Sequence, residues 1–88
     1  MSTFSDVLTE YINTKNIKVF PMAKYCGLDR STMYKLISGK RNPPPRDILK
    51  KMILFMHLTP TEAQHLEEAW NVTRIGPEIY YKRKSVEN

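Results

Sequence analysis

A chain of 88 residues, 41 % of them hydrophobic and with a net charge of +5, is long enough for one small domain with a compact core. Its single cysteine, Cys26, excludes an intrachain disulfide and fits a reducing cytoplasm. No apolar run approaches the ~20 residues of a membrane span, and the acidic, polar start MSTFSDVLTE is unlike a signal peptide.

The first element is predicted over residues 3–15. Phe4, Val7, Leu8, Tyr11 and Ile12 recur at helical spacing and form one apolar stripe. Thr3 with Asp6 resembles a capping box whose acid has been substituted. The pattern fails from Asn13 to Asn16, which should be a loop. Pro21 fits the first turn of a helix, where its missing N–H has no intrahelical partner. A second helix is therefore expected from about Phe20 to Cys26, with Ala23 on its inner side. Gly27 should end it, because glycine tolerates the positive φ of a helix stop. Cys26 reads as a small buried apolar side chain, with no second cysteine to share a metal.

Leu28 should enter the core at the turn, and Asp29 is a good N-cap for a third helix over residues 30–38. Met33 and Leu36, with Ile37, form its inner stripe, leaving Arg30, Ser31, Thr32, Tyr34 and Lys35 outside. Gly39 closes this helix, and Asn42-Pro43-Pro44-Pro45 makes a stiff connector. Residues 45–57 are apolar almost all round, from Ile48 and Leu49 to Leu54, Phe55 and Met56, so this helix is expected to be packed on several sides and to be central to the core. His57 falls at its C-terminal end, where positive charge is favourable. Thr59-Pro60-Thr61-Glu62 has the form of a helix start, with a hydroxyl cap, proline at the first position and Glu three after the cap. The fifth helix should run from Pro60 to about Val72, with Ala63, Leu66, Ala69 and Trp70 inside and His65, Glu67 and Glu68 in water. Arg74 to Gly76 should end it, and a sixth helical segment is expected from Pro77. Residues 1–74 thus form the domain, and 75–88 a tail or the start of a linker to a next domain. The chain stops inside a charged, helix-compatible stretch, which suggests the N-terminal domain of a longer protein.

Charge is concentrated in the middle of this order. Residues 1–23 balance Lys15 and Lys18 against Asp6 and Glu10. Residues 24–46 set Lys24, Arg30, Lys35, Lys40, Arg41 and Arg46 against Asp29, a net +5 that equals the charge of the whole chain. Such a concentration is the footprint of a polyanionic partner, although a basic surface can also serve solubility.

With Ala23, Gly27, Leu28, Met33 and Leu36 at their spacing, and SGKRNP at the exit, residues about 4–73 resemble the phage-repressor and xenobiotic-response-element type of helix-turn-helix domain. The chain departs from that pattern at Pro21, Tyr34 and Ile37. The resemblance implies an all-α, five-helix lambda-repressor-like bundle that binds double-stranded DNA as a homodimer on a pseudo-palindrome, in a bacterial or phage-encoded cytoplasmic regulator without a cofactor.

A helix that is narrow and polar outside can enter the ~12 Å major groove, and its N-terminal side chains reach furthest in. Arg30, Ser31, Thr32, Tyr34 and Lys35 are therefore the expected base readers, Arg30 through a bidentate pair with guanine. Lys40, Arg41, Asn42 and the backbone near Ser38 should hold a phosphate, as should the free amides at the start of the second helix near Lys18 and Val19. The dimer surface is expected on the fifth helix or tail, with Trp70, Ile75, Ile79, Tyr80 and Tyr81 as exposed candidates. A competing reading is an antitoxin- or adaptor-like protein-interaction module that uses the apolar helix 48–56 or the aromatic tail. An enzyme reading has little support: the sequence has no nucleophile-base constellation, no metal-spaced Cys/His set and no Gly-rich phosphate loop. His57 and His65 fall on different helices.

Overall fold

The computed structural model describes residues 3–76, with side chains from Phe4 onward. Among the described residues the fold is all-helical, with five helices and no strand. No helix among them is long and apolar enough to cross a membrane.

Helix α1 (Thr3–Thr14) buries the whole stripe of Phe4, Val7, Leu8, Tyr11 and Ile12. Its chain turns away through Asn16, which takes the left-handed conformation (φ 55°) that asparagine tolerates better than most residues. The Ile17 amide then donates to the Ile12 carbonyl at 2.9 Å, closing the helix end. The Thr3 side chain, expected to cap α1, lies outside the described residues.

Helices α2 (Val19–Cys26) and α3 (Arg30–Ile37) are eight residues each, joined by Gly27, Leu28 and Asp29. Gly27 is left-handed (φ 72°), and the following Leu28 amide reaches back to the Ala23 carbonyl at 2.9 Å. Asp29 accepts the Thr32 amide at 2.9 Å and caps α3 as the sequence anticipates. Met22, Ala23 and Cys26 of α2 are buried, as are Met33 and Leu36 of α3; Leu28 and Ile37 are half-buried and pack against the core. Burial raises the Cys26 thiol above its ordinary value despite the nearby charge of Lys51, as suits a residue that packs instead of reacting.

Helix α4 (Arg46–Phe55) corrects one expectation. It is neither packed all round nor the hub of the core, but rests chiefly on α2. Leu49, Met52 and Met56 recur at helical spacing and are buried, whereas Leu54 falls on the opposite side and is 62 % exposed. Apolar composition at the end of the helix concealed an ordinary one-sided stripe. His57 lies past the helix end with φ 52°, its amide donating to the Leu54 carbonyl at 3.2 Å.

Helix α5 (Pro60–Ile75) begins with a complete capping box. The Thr59 hydroxyl accepts the Glu62 amide at 3.2 Å, and the Glu62 carboxylate accepts the Thr59 amide at 2.9 Å. Leu66, Ala69, Trp70 and Val72 are buried, Ala63 is half-buried, and the helix outlasts the expected Val72 by three residues. Two contacts hold the extra turn: the Phe4 amide donates to Thr73 Oγ1 at 2.9 Å, and the Arg74 guanidinium lies over the Trp70 ring at 4.3 Å.

Trp70 is 1 % exposed, which removes it from the dimer-surface candidates. Its indole donates from Nε1 to the Pro44 carbonyl at 2.7 Å, and Arg46 also stacks on its ring at 4.9 Å. A large aromatic ring with its one polar atom satisfied is a stable thing to bury. It draws the proline connector onto α5. Ile75 is half-buried. The sixth segment expected from Pro77, and Ile79, Tyr80 and Tyr81, lie outside the described residues.

Candidate nucleic-acid interface

Burial of one side of α2 and α3 dictates what the other side presents. Val19, Met22, Ala23 and Cys26 make the inner stripe of α2, so Phe20, Lys24 and Tyr25 face out, Phe20 being 56 % exposed. On α3 the outward residues pair one turn apart, Arg30 with Tyr34 and Ser31 with Lys35, and all four are exposed. Thr32 stands apart from the other expected base readers. It is half-buried beside a groove of about 310 Å³ that is also lined by Leu28, Leu36, Arg41, Asn42 and Ile48. Hydrogen bonds from Thr32 hold the Asp29 carboxyl below its ordinary value, helped by the positive charges of Arg41 and Lys35. The Thr32 amide thus serves the cap, and the residue sits half-buried at the rim of the outer face.

The expected phosphate-holding residues fall into two groups. Lys18 is exposed and extended at the start of α2, where no side chain caps the helix, so the first amides have no intrahelical partner. Val19, half-buried against the core, offers backbone only. At the far end of α3, Ser38, Lys40, Arg41 and Asn42 are exposed along the exit loop. The Ser38 hydroxyl donates to the Lys35 carbonyl at 3.3 Å and the Lys40 amide to the same carbonyl at 3.0 Å, which folds this loop back against the end of α3.

Among the described residues, Lys15 pairs with Glu62 at 2.9 Å and Arg46 with Glu67 at 3.4 Å. Lys24, Arg30, Lys35, Lys40 and Arg41 are in no ion pair among the described residues, and all five are exposed. Arg46, which contributes to the basic stretch in the sequence, is partnered by Glu67 and Trp70 and belongs to the scaffold.

Residue type alone does not reveal one contact on this surface. The Arg30 guanidinium lies over the Phe20 ring, 5.4 Å from its centroid. The signal was present, since Phe20 falls outside the Val19, Met22, Ala23, Cys26 stripe and could not be buried with it. A second exposed aromatic group, Tyr25 against Phe55 at 5.6 Å, lies between α2 and α4. A scan of protein-family models and searches of curated proteins and of solved structures return no match to this chain.

Proposed function

We propose that this protein binds double-stranded DNA sequence-specifically, with α2 and α3 acting as a helix-turn-helix and α3 entering the major groove. The bundle is then of the lambda-repressor type, and the chain a transcriptional regulator or its N-terminal domain. The observation that carries this reading is the set of five exposed basic residues gathered on α2, α3 and the exit loop, none of them in an ion pair among the described residues, along a stretch whose one acidic residue is Asp29. An unpaired cluster of one sign gains most from a polyanion, because each neutralised phosphate releases counterions. Arg30, Ser31, Tyr34 and Lys35 would read base edges, with Thr32 at their rim. Lys18, Val19, Ser38, Lys40, Arg41 and Asn42 would grip phosphates on either side. A half-site read by one short helix carries little sequence, so a homodimer on a pseudo-palindrome is the expected assembly. The implied setting is a bacterial or phage cytoplasm.

Retention on random duplex DNA as a function of salt tests this directly. The expected result is binding whose logarithm falls linearly with the logarithm of salt, flattened by Lys40→Ala. Unchanged affinity for a selected site after Arg30→Ala with Lys35→Ala would remove α3 as the reader.

A second reading, a protein-interaction module, draws on the exposed Leu54 and the Tyr25–Phe55 pair, which present apolar surface on α4 and at its contact with α2. It predicts salt-insensitive association and no retention on DNA.

A further inference from the structure

We propose that Phe20 and Arg30 act as one unit that reads a guanine together with a neighbouring thymine, which makes Phe20 a specificity-determining residue outside α3. The inference rests on the DNA-binding reading above and names what that surface selects.

Two observations carry it. Phe20 leaves a large apolar ring 56 % exposed, and the Arg30 guanidinium lies over that ring at 5.4 Å. A guanidinium within about 6 Å of an aromatic centroid is attracted to the ring face. The stack restricts a side chain that would otherwise sweep a wide volume, so less entropy is lost when its fork engages a base. The base whose major-groove edge matches that fork is guanine, with O6 and N7 both accepting. The rest of the ring needs an apolar neighbour. The apolar group that unmodified duplex DNA presents in the major groove is the thymine C5-methyl. A thymine beside the guanine therefore satisfies the ring while the guanine satisfies the guanidinium.

The fold supplies the two halves from different helices. Phe20 is the second residue of α2, and Arg30 is the first of α3, at the end that reaches furthest into the groove. Tyr34, one turn along from Arg30 and 52 % exposed, has no ring or cation contact among the described residues to orient it, and carries no comparable assignment.

The test begins with selection of binding sites from random duplexes by the full chain. Each thymine of the selected site is then replaced by deoxyuridine, which removes only the methyl group. The expected result is one thymine next to an essential guanine whose replacement weakens binding about fourfold, the value of burying one methyl-sized group. Phe20→Ala should weaken the unmodified site by about tenfold through lost stacking and lost apolar contact. It should also become indifferent to deoxyuridine at that position. Phe20→Leu should keep the methyl sensitivity while relaxing selection of the guanine. Thermal melting of both variants verifies that they fold, as expected for an exposed position.

The inference is overturned if Phe20→Ala retains the full deoxyuridine effect, or if no thymine adjoins the guanine. Salt-dependent binding to all duplexes with no sequence enriched would overturn it too, while leaving DNA binding intact. Absence of binding to any duplex would overturn both.

Discussion

The two sides of this domain treat polar and aromatic groups in opposite ways. Between α1 and α5, long side chains are tied across the interface: the Tyr11 hydroxyl is 2.8 Å from His65 Nδ1 with the rings edge to face, Lys15 pairs with Glu62, and the Phe4 amide donates to Thr73. Trp70 extends this network to the proline connector and has two guanidinium groups stacked on its ring. On the α2–α3 side, five basic residues are in no ion pair among the described residues, and three aromatic side chains, Phe20, Tyr25 and Tyr34, are more than half exposed. Polar and aromatic contacts are concentrated on one side, and exposed basic and aromatic groups on the other. Substitutions should therefore separate cleanly into those that melt the domain and those that change only what it binds.

The largest expected effect is on the scaffold side. Trp70→Ala should destabilise the domain by about 3–5 kcal/mol, the range for emptying a buried aromatic site. It also leaves the Pro44 carbonyl without its donor and releases both arginine stacks. Since domains are stable by only about 5–15 kcal/mol, thermal melting should show a large fall or no cooperative transition. A near-normal melting temperature would mean that the connector is held by something other than Trp70.

The opposite signature belongs to α3. Arg30→Ala should cost about 1–3 kcal/mol of affinity for a selected duplex. Its melting should stay within about 0.5 kcal/mol of the parent, as for exposed substitutions generally. If instead this variant loses stability and binding in parallel, the division between the two sides fails. A smaller effect, again on the scaffold side, is expected at the start of α5. Thr59→Ala removes the hydroxyl cap and should cost about 1 kcal/mol, or roughly 4–8 °C in melting temperature for a domain of this size, with DNA affinity unchanged.

Most of the architecture was legible because its signals are local. The 3, 1, 3, 1 spacing of α1, the Asp29 and Thr59 caps and the Gly27 stop each depend on a few neighbouring residues, and each matches the structure. What was not legible depends on which neighbour faces which. Leu54 looks like core by residue type, but it lies opposite the Leu49, Met52 and Met56 stripe that rests on α2, and its side of α4 is uncovered. The last turn of α5 survives past Val72 because Phe4, distant in sequence, donates its amide to Thr73, while Arg74 stacks back on Trp70 one turn before it. At the candidate interface the basic residues were visible as a charge cluster. The pairing of Arg46 with Glu67 and the stacking of Arg30 on Phe20 both required three-dimensional proximity.

The smallest expected effect concerns acid, and it crosses the two sides. Asp29 and Glu62 both have carboxyl groups held below their ordinary values, Asp29 by Thr32 and Glu62 first by the Thr59 amide and then by Lys15. For a carboxyl lowered by folding, the ionised form is the one the native state favours. Its contribution is complete above the unfolded value, near 3.8 for aspartate and 4.5 for glutamate, and is lost as pH falls through the lower folded value. Melting temperature should therefore decline on acidification below about pH 4.5. Glu62→Gln should flatten the part of that decline due to α5, and Asp29→Asn the part due to α3. Because Asp29 caps the helix that carries Arg30 and Lys35, its protonation should loosen the start of α3, whereas protonation of Glu62 loosens only the scaffold. Amide exchange followed through the acid limb would distinguish them: protection at the start of α3 should respond to Asp29→Asn and not to Glu62→Gln. Equal loss in both variants would show that the two sides unfold as one unit despite their different chemistry.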